Sequence, residues 1–135
     1  MTICLNNLAW GRVRLNALGT QLLLELKGCN RVKLNDLGFI RNCLLSAAES
    51  VGATILSESF HQFSPQGVTG IVAIAESHFS IHTWPEYGYA AADIFTCGVS
   101  FQPDRAAALI VKALEAEEPT IIELKRGVLQ KVPVA

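Results

Sequence analysis

A short stretch from Ala75 to Gly98 holds most of the side chains in this chain that could do chemistry. It reads AESHFSIHTWPEYGYAAADIFTCG, and its hydroxyl, imidazole, carboxylate and thiol groups lie within 24 residues. These residues are Ser77, His78, Ser80, His82, Thr83, Glu86, Asp93 and Cys97. Alternate residues of a strand point to opposite faces, so His78, Ser80 and His82 share one face. The stretch therefore predicts a polar face within an otherwise apolar sheet.

These residue types suggest three interpretations: a metal site, a hydrolase triad and a purely structural role. His78 and His82 have HxxxH spacing, but a strand separates Cα atoms four residues apart by about 13 Å, too far to bind one ion. A hydrolase triad of Ser77, His82 and Asp93 lacks the GxSxG turn and a glycine-rich oxyanion loop. Each residue alone also fits a structural role, and Cys97 fits that of a small buried apolar group. No metal site is predicted.

Longer motifs are more informative than single residues. They comprise the triplet Glu76-Ser77-His78, His82, TWPEYGYAA from Thr83 to Ala91, FTCG from Phe95 to Gly98, and the upstream segments 52–55, 60–63 and 67–70. Together they closely resemble the bacterial and archaeal S-adenosylmethionine decarboxylase proenzymes of the short-chain type. The resemblance continues more loosely from about Leu18 to the C-terminus.

The resemblance implies a cofactor that the protein makes from its own backbone. In that family, the hydroxyl matching Ser77 attacks the carbonyl matching Glu76, and the peptide bond becomes an ester. Elimination then cuts the chain between Glu76 and Ser77, and hydrolysis of the resulting dehydroalanine leaves a pyruvoyl group. Its ketone supplies the electron sink for decarboxylation by forming a Schiff base with the amine of S-adenosyl-L-methionine. The product, S-adenosylmethioninamine, is the aminopropyl donor for spermidine synthesis.

The resemblance also assigns residues to the two proton transfers. His82 matches the processing base that removes the Ser77 Cα proton, and an imidazole exchanges protons near neutral pH. Cys97 matches the donor that protonates the substrate carbon after CO2 leaves. Thr69 stands where family members commonly have serine, and it keeps a hydroxyl for a role in processing.

Substrate binding is implied for three positions. Phe63 and His82 match the rings that stack on the adenine, and Glu86 matches the carboxylate that accepts hydrogen bonds from the ribose hydroxyls. Two alternative functions remain open. One is the same pyruvoyl chemistry on arginine or ornithine, and the other is that of a catalytically silent regulatory homologue. The joint presence of Ser77, His82 and Cys97 argues against a silent protein.

Composition limits the remaining function classes. The 135 residues carry a formal net charge of -1 and contain no run of Lys or Arg, which argues against nucleic acid as a partner. Charged or polar residues interrupt every apolar stretch before the ~20 residues that a membrane span needs. We expect a soluble cytoplasmic protein with a single domain at 18–135 and an N-terminal extension at 1–17. Its cysteines, predicted to be reduced thiols, are Cys4, Cys29, Cys43 and Cys97.

Hydrophobic periodicity predicts the element order β-α-β-β-β-β-α-β. The strands are predicted at 20–27, 53–63, 68–75, 78–84, 90–97 and 120–125. One helix begins after Asn35 or Asp36, and the other begins at Pro103 and ends before Pro119. Strands with tight connections pair antiparallel, and two helices cover one sheet face. The expected fold is an α+β two-layer sandwich.

The predicted strands contain more apolar surface than one helical layer can bury. Gly70–Ala75 and Ala90–Phe95 are apolar on both alternating faces, so the face without helices should also be covered. A second copy, packed sheet against sheet about a two-fold axis, is the economical solution. We therefore expect a homodimer with αββα layers. Since the family that the chain resembles has its active site between paired sheets, the dimer would also complete that site.

Overall fold

A computed structural model describes the backbone of residues 2–4, 13–98 and 101–133, with side chains for 17–98 and 101–129. The strands are β1 (Thr2–Cys4), β2 (Val13–Lys27), β3 (Thr54–Gln62), β4 (Val68–Ala75), β5 (Ser77–Trp84), β6 (Tyr89–Cys97) and β7 (Glu118–Pro133). The helices are α1 (Arg31–Leu34), α2 (Leu37–Ser50) and α3 (Pro103–Ala113), and Pro85–Tyr87 form a 3-10 turn. None of the described helices is long and apolar enough to cross a membrane.

The strands form one sheet in the order β1-β7-β2-β6-β5-β4-β3. Every neighbouring pair is antiparallel except β1 with β7. Consecutive strands from β3 to β6 pair through short connections, as antiparallel strands can. The predicted α+β two-layer sandwich is confirmed. The pairing of two such sheets in a homodimer stays a prediction.

The predicted strands and the two predicted helices are all present, with different bounds. β2 begins at Val13 and β7 continues to Pro133, because these residues pair with each other at the far end of the two strands. Backbone hydrogen bonds extend both strands past the segments whose apolar pattern is visible in the sequence. The 3-10 turn and α1 were not predicted, since elements this short show no helical period.

Two helices pack on one face of the sheet and form the core. Asp36 caps α2, its side chain accepting a hydrogen bond from the Phe39 N–H at 3.0 Å. Pro103 occupies the first turn of α3, where a missing N–H costs nothing. The buried helical side chains are Ile40, Cys43, Leu44, Ala47, Ala48, Ala106, Ala107 and Ile110. They meet alternate residues of the central strands, including Leu22, Leu24, Leu26, Val72, Phe79, Ile81 and Ile94.

The opposite sheet face, here called the open face, carries the other set of alternating side chains. Ile71 is 47% exposed and Trp84 39% exposed on it. Two pairs of its polar groups are joined by hydrogen bonds. Ser80 donates a hydrogen bond to Asp93 at 3.2 Å, and Tyr89 donates to Glu25 at 2.5 Å. Burial and the Glu25 carboxylate raise the pKa of Tyr89 to about 12, so this hydroxyl remains a donor.

A buried hydroxyl joins the helical layer to the sheet. Thr83 Oγ1 donates to the Leu34 carbonyl at 2.7 Å and accepts from the Val68 N–H at 2.8 Å. All three residues are buried. One side chain therefore ties the end of α1 to both β4 and β5.

Replacing Thr83 with Val keeps the volume and removes both hydrogen bonds. Each buried backbone group left without a partner costs about 1–3 kcal/mol, so loss of the two bonds should lower the free energy of unfolding by about 2–6 kcal/mol. Thr83→Ser is the matched control, because it keeps the hydroxyl and loses one methyl, worth about 1 kcal/mol. Circular dichroism during thermal unfolding, at equal protein concentrations, measures both changes. Equal stability of the wild type and the Val variant would contradict the role of these bonds.

Candidate active site

Ser77 is the first residue of β5 and has an unusual backbone. Its φ is +124°, in a region that favours glycine and costs other residues about 1–3 kcal/mol. The peptide bond between Glu76 and Ser77, where the sequence predicts cleavage, therefore lies at a strained turn. Across the sheet Ser77 pairs with Thr96, the neighbour of Cys97. Paired Cα atoms of antiparallel strands are about 4.5–5.5 Å apart, so Ser77 and Cys97 lie at the same end of adjacent strands.

The Cys97 side chain lies half-buried beside a glycine of β2. Gly19 pairs with Cys97, and a Cβ on Gly19 would lie 3.3 Å from Cys97 Sγ and 2.7 Å from Phe95 Cε2. A larger residue at position 19 would displace both side chains. Glycine thus keeps the space that the thiol and the Phe95 ring occupy.

Two other described cysteines are in different surroundings. Burial raises the pKa of Cys29 and of Cys43 to about 11, so both thiols hold their protons, and both lie in the core. Cys29, Cys43 and Cys97 are all free thiols, as predicted. The side chain of Cys4 lies outside the described residues.

His82 is held by a neighbour on β4. Thr69 and His82 are cross-strand partners, and Thr69 Oγ1 lies 3.0 Å from His82 Nδ1. A hydrogen bond at Nδ1 fixes the ring orientation and leaves Nε2 for another partner. The hydroxyl that the sequence singled out at position 69 is thus in hydrogen-bonding contact with His82, a contact that the sequence analysis did not predict.

Four predicted site residues line one cavity of about 340 Å³, within the range typical of small-molecule sites. We call them the binding cluster; they are Phe63, Thr69, His82 and Glu86. Phe63 enters from the β3–β4 turn, which its N–H closes by donating to the Gly67 carbonyl at 2.8 Å. Asn35 holds this turn from the helical layer, since its Oδ1 accepts from the Gly67 N–H and from Gln62, each at 2.9 Å.

Ser77 and Cys97, here called the reaction cluster, lie away from that cavity. Five residues of extended strand separate Ser77 from His82, which places their Cα atoms about 16 Å apart. An imidazole cannot span that distance. Within one chain, the structure therefore brings the binding cluster together but does not bring His82 to the serine that it was predicted to process.

The structure adds cavity residues that sequence reasoning missed. Trp84 and Gln66 also line the cavity. Strand alternation could have found Trp84, because it shares a face with His82. No local signal points to Asn35, since its partner Gly67 is 32 residues away. Asp93 is bonded to Ser80, and His82 Nδ1 is next to Thr69, which leaves no hydrolase triad among these described residues.

Comparison with known proteins agrees with the motifs and the fold. A family model described as S-adenosylmethionine decarboxylase matches residues 20–127. An S-adenosylmethionine decarboxylase proenzyme of Thermodesulfovibrio yellowstonii is 54% identical over 113 residues, covering 84% of each chain. One from Caldanaerobacter subterraneus is 47% identical over 117 residues, covering 87% of this chain and 94% of its own.

A solved structure extends the agreement to three dimensions. The crystal structure of the adenosylmethionine decarboxylase from Aquifex aeolicus has a TM-score of 0.81 and 34% sequence identity. The similarity covers 89% of this chain and 99% of that one. By motif, overall sequence and fold, the chain belongs to the S-adenosylmethionine decarboxylase family.

Proposed function

We propose that this chain makes a pyruvoyl group from Ser77 and uses it to decarboxylate S-adenosyl-L-methionine. The observation that carries the proposal is the placement of Ser77: a strained residue at the start of β5, beside the strand that ends in Cys97. Relatives covering most of the chain are named decarboxylase proenzymes, and a proenzyme needs a processing step.

Self-processing uses groups that the chain already contains. Ser77 Oγ attacks the Glu76 carbonyl carbon, the C–N bond breaks, and an ester with a free amine results. A base then removes the Ser77 Cα proton, the Cβ–O bond breaks, and Glu76 leaves as a carboxylate. Water replaces the amine as ammonia departs, which leaves a ketone at position 77. The strained backbone at Ser77 favours leaving the uncut state.

The base in this scheme comes from a second copy of the chain. His82 lies about 16 Å from its own Ser77 along β5, so it cannot act there. Two sheets packed by their open faces lie about 10 Å apart, a gap that facing side chains fill. A two-fold axis that lies between the sheets and runs perpendicular to the strands makes the facing strands of the two protomers run in opposite directions. It sets the binding cluster of one protomer opposite the reaction cluster of the other.

The open face suits such an interface. The row of cross-strand partners midway between the clusters is Ile71, Ser80, Asp93, Leu23 and Ile122. Its apolar members gain by burial, and its polar pair already satisfies its hydrogen bond. The homodimer thus both covers the face without helices and completes two identical active sites.

The substrate then spans the two protomers. Phe63 and His82 stack on the adenine, and Glu86 accepts from the ribose hydroxyls in the cavity of one protomer. The amino acid end reaches the reaction cluster of the other protomer. A ketone at position 77 would supply the electron sink there, and Cys97 is the group that protonates the carbon that loses CO2. A cavity with aromatic walls favours a nucleoside over arginine or ornithine as the substrate.

The first test is cleavage itself. We expect wild-type protein to separate under denaturing conditions into fragments 1–76 and 77–135, with the second blocked to Edman sequencing by its ketone. Ser77→Ala should stay intact, because it lacks the nucleophile. Ser80→Ala, a change of another serine on β5, should still cleave. Intact mass decides, and a wild type that stays uncut and carries no reducible carbonyl would refute the proposal.

The second test asks which protomer supplies the base. Neither Ser77→Ala nor His82→Ala should cleave alone. In mixed dimers from co-expression, the Ser77→Ala chain supplies an intact His82 to the Ser77 of the other chain. We therefore expect the His82→Ala chain, distinguished by an affinity tag, to be cut in mixed dimers only. Light scattering should give a dimer mass, and no cleavage in verified mixed dimers would contradict the two-protomer site.

The third test separates formation of the cofactor from its use. Cys97→Ala should still cleave, since processing needs Ser77 and a base, but should decarboxylate about 10²- to 10⁴-fold more slowly without its proton donor. Misplaced protonation should also inactivate it during turnover, with a matching mass change. Cys43→Ala is the control, because that thiol is buried in the core and should affect only stability. Wild-type turnover by Cys97→Ala would show that the donor is another group.

A further inference from the structure

The side chain of Arg126 reaches across a neighbouring strand toward the reaction cluster. Arg126 on β7 pairs with Gly19 on β2, which in turn pairs with Cys97 on β6. The outer two strands of this trio are about 10 Å apart. The Arg126 guanidinium carbon nevertheless lies 5.4 Å from the centre of the Phe95 ring on β6. Gly19 has no side chain, so the Phe95 ring and the Cys97 thiol occupy the space above it, and the arginine packs against that ring.

The guanidinium is held in this position. One of its N–H groups donates to Gln21 Oε1 at 2.5 Å, and its central carbon lies over the Phe95 ring. The ring is supported in turn by an edge contact with His78, the residue after Ser77, at 5.9 Å between centroids. An arginine with a fixed plane is prepared to bind a planar anion with little further loss of entropy.

No anion of this chain uses that charge among residues 17–98 and 101–129. The ion pairs of this part join Lys33 to Glu115, Arg41 to Glu58 and Lys125 to Glu123. Arg126 forms none, and its described contacts are the Gln21 amide and the Phe95 ring. A positive charge with free donors therefore lies on the open face, at the end of the sheet where β5 begins at Ser77 and β6 ends at Cys97.

We propose that Arg126 binds the α-carboxylate of the substrate. The assignment rests on the proposed function, in which Cys97 protonates the carbon that bears this carboxylate. The carboxylate therefore lies within a few ångström of the Cys97 thiol, on the face that the guanidinium covers. S-adenosylmethionine carries a sulfonium cation and an amine as well, and the carboxylate is the group that attracts a guanidinium, through two parallel hydrogen bonds.

This contact gives the enzyme a means of rejecting its own product. A ketone at position 77 can condense with any primary amine, and the product keeps that amine. Loss of CO2 removes the anion, so the product no longer pairs with Arg126. The arginine thus selects amino acids over amines and favours product release.

The experiment compares ligands with and without the carboxylate. Arg126→Gln removes the charge from an exposed side chain, and its cleavage into 1–76 and 77–135 is verified by mass first. We expect its KM for S-adenosylmethionine to rise at least tenfold. Inhibition constants for the methyl ester of S-adenosylmethionine and for the decarboxylated product should stay within twofold of the wild type. Arg126→Lys, which keeps the charge without the planar fork, should be intermediate.

Lys125→Gln is the matched control, because Lys125 loses the same charge one residue away but is bound to Thr20 and Glu123. It should leave KM unchanged. An unchanged KM in Arg126→Gln would overturn the assignment. If Arg126→Gln weakens the binding of S-adenosylmethionine and of its methyl ester equally, the assignment would also be overturned. The arginine would then have a structural role on the open face or pair with the Glu76 carboxylate released by cleavage. If the wild type stays uncut, the proposed function itself is wrong. If the wild type is active and Arg126→Gln has the same KM for S-adenosylmethionine, only this role of Arg126 is wrong.

Discussion

The extended backbone of β5 is the constraint from which the arrangement of the site follows. Ser77 is fixed between Ile74 and Thr96, and His82 between Thr69 and Ala91, by hydrogen-bonded strands on both sides. A strand paired on both edges cannot bend to bring its ends together. The two clusters therefore stay about 16 Å apart in one chain, and chemistry that needs both requires a second chain.

The same double pairing explains how the fold tolerates a strained residue at the start of β5. A positive φ at a serine persists only where the surroundings over-determine it, and both neighbours of β5 supply that constraint. On the far side of β6, Gly19 lets β2 pass close to Cys97 without filling its space. The regular sheet thus holds Ser77 in a strained conformation and also keeps room for a thiol, a ring and a guanidinium nearby.

The helical layer has a different part in the site. Asn35, in the α1–α2 connection, holds the turn that carries Phe63, and Thr83 binds the carbonyl at the end of α1. Neither side chain belongs to the reaction cluster. They fix the walls of the cavity relative to the sheet, so the shape of the cavity depends on packing between the layers.

The sequence by itself determined the element order, the two-layer fold and the family, because strand alternation, helix caps and the motifs around Ser77, His82 and Cys97 are local patterns. Through the resemblance it also assigned Phe63, His82 and Glu86 to one substrate site. It did not reveal the full length of β2 and β7, whose ends are stabilised by pairing with each other.

Only the tertiary structure decided which of these residues meet. The resemblance assigned His82 to the processing of Ser77 without saying which chain supplies it, and an extended strand turns the five-residue spacing into a distance that no imidazole can span. Arg126 lies 29 residues from Cys97 in sequence and carries no motif, yet strand register brings its side chain onto the same face. Contacts of this kind arise from pairing between distant strands, and no local pattern in the sequence encodes them.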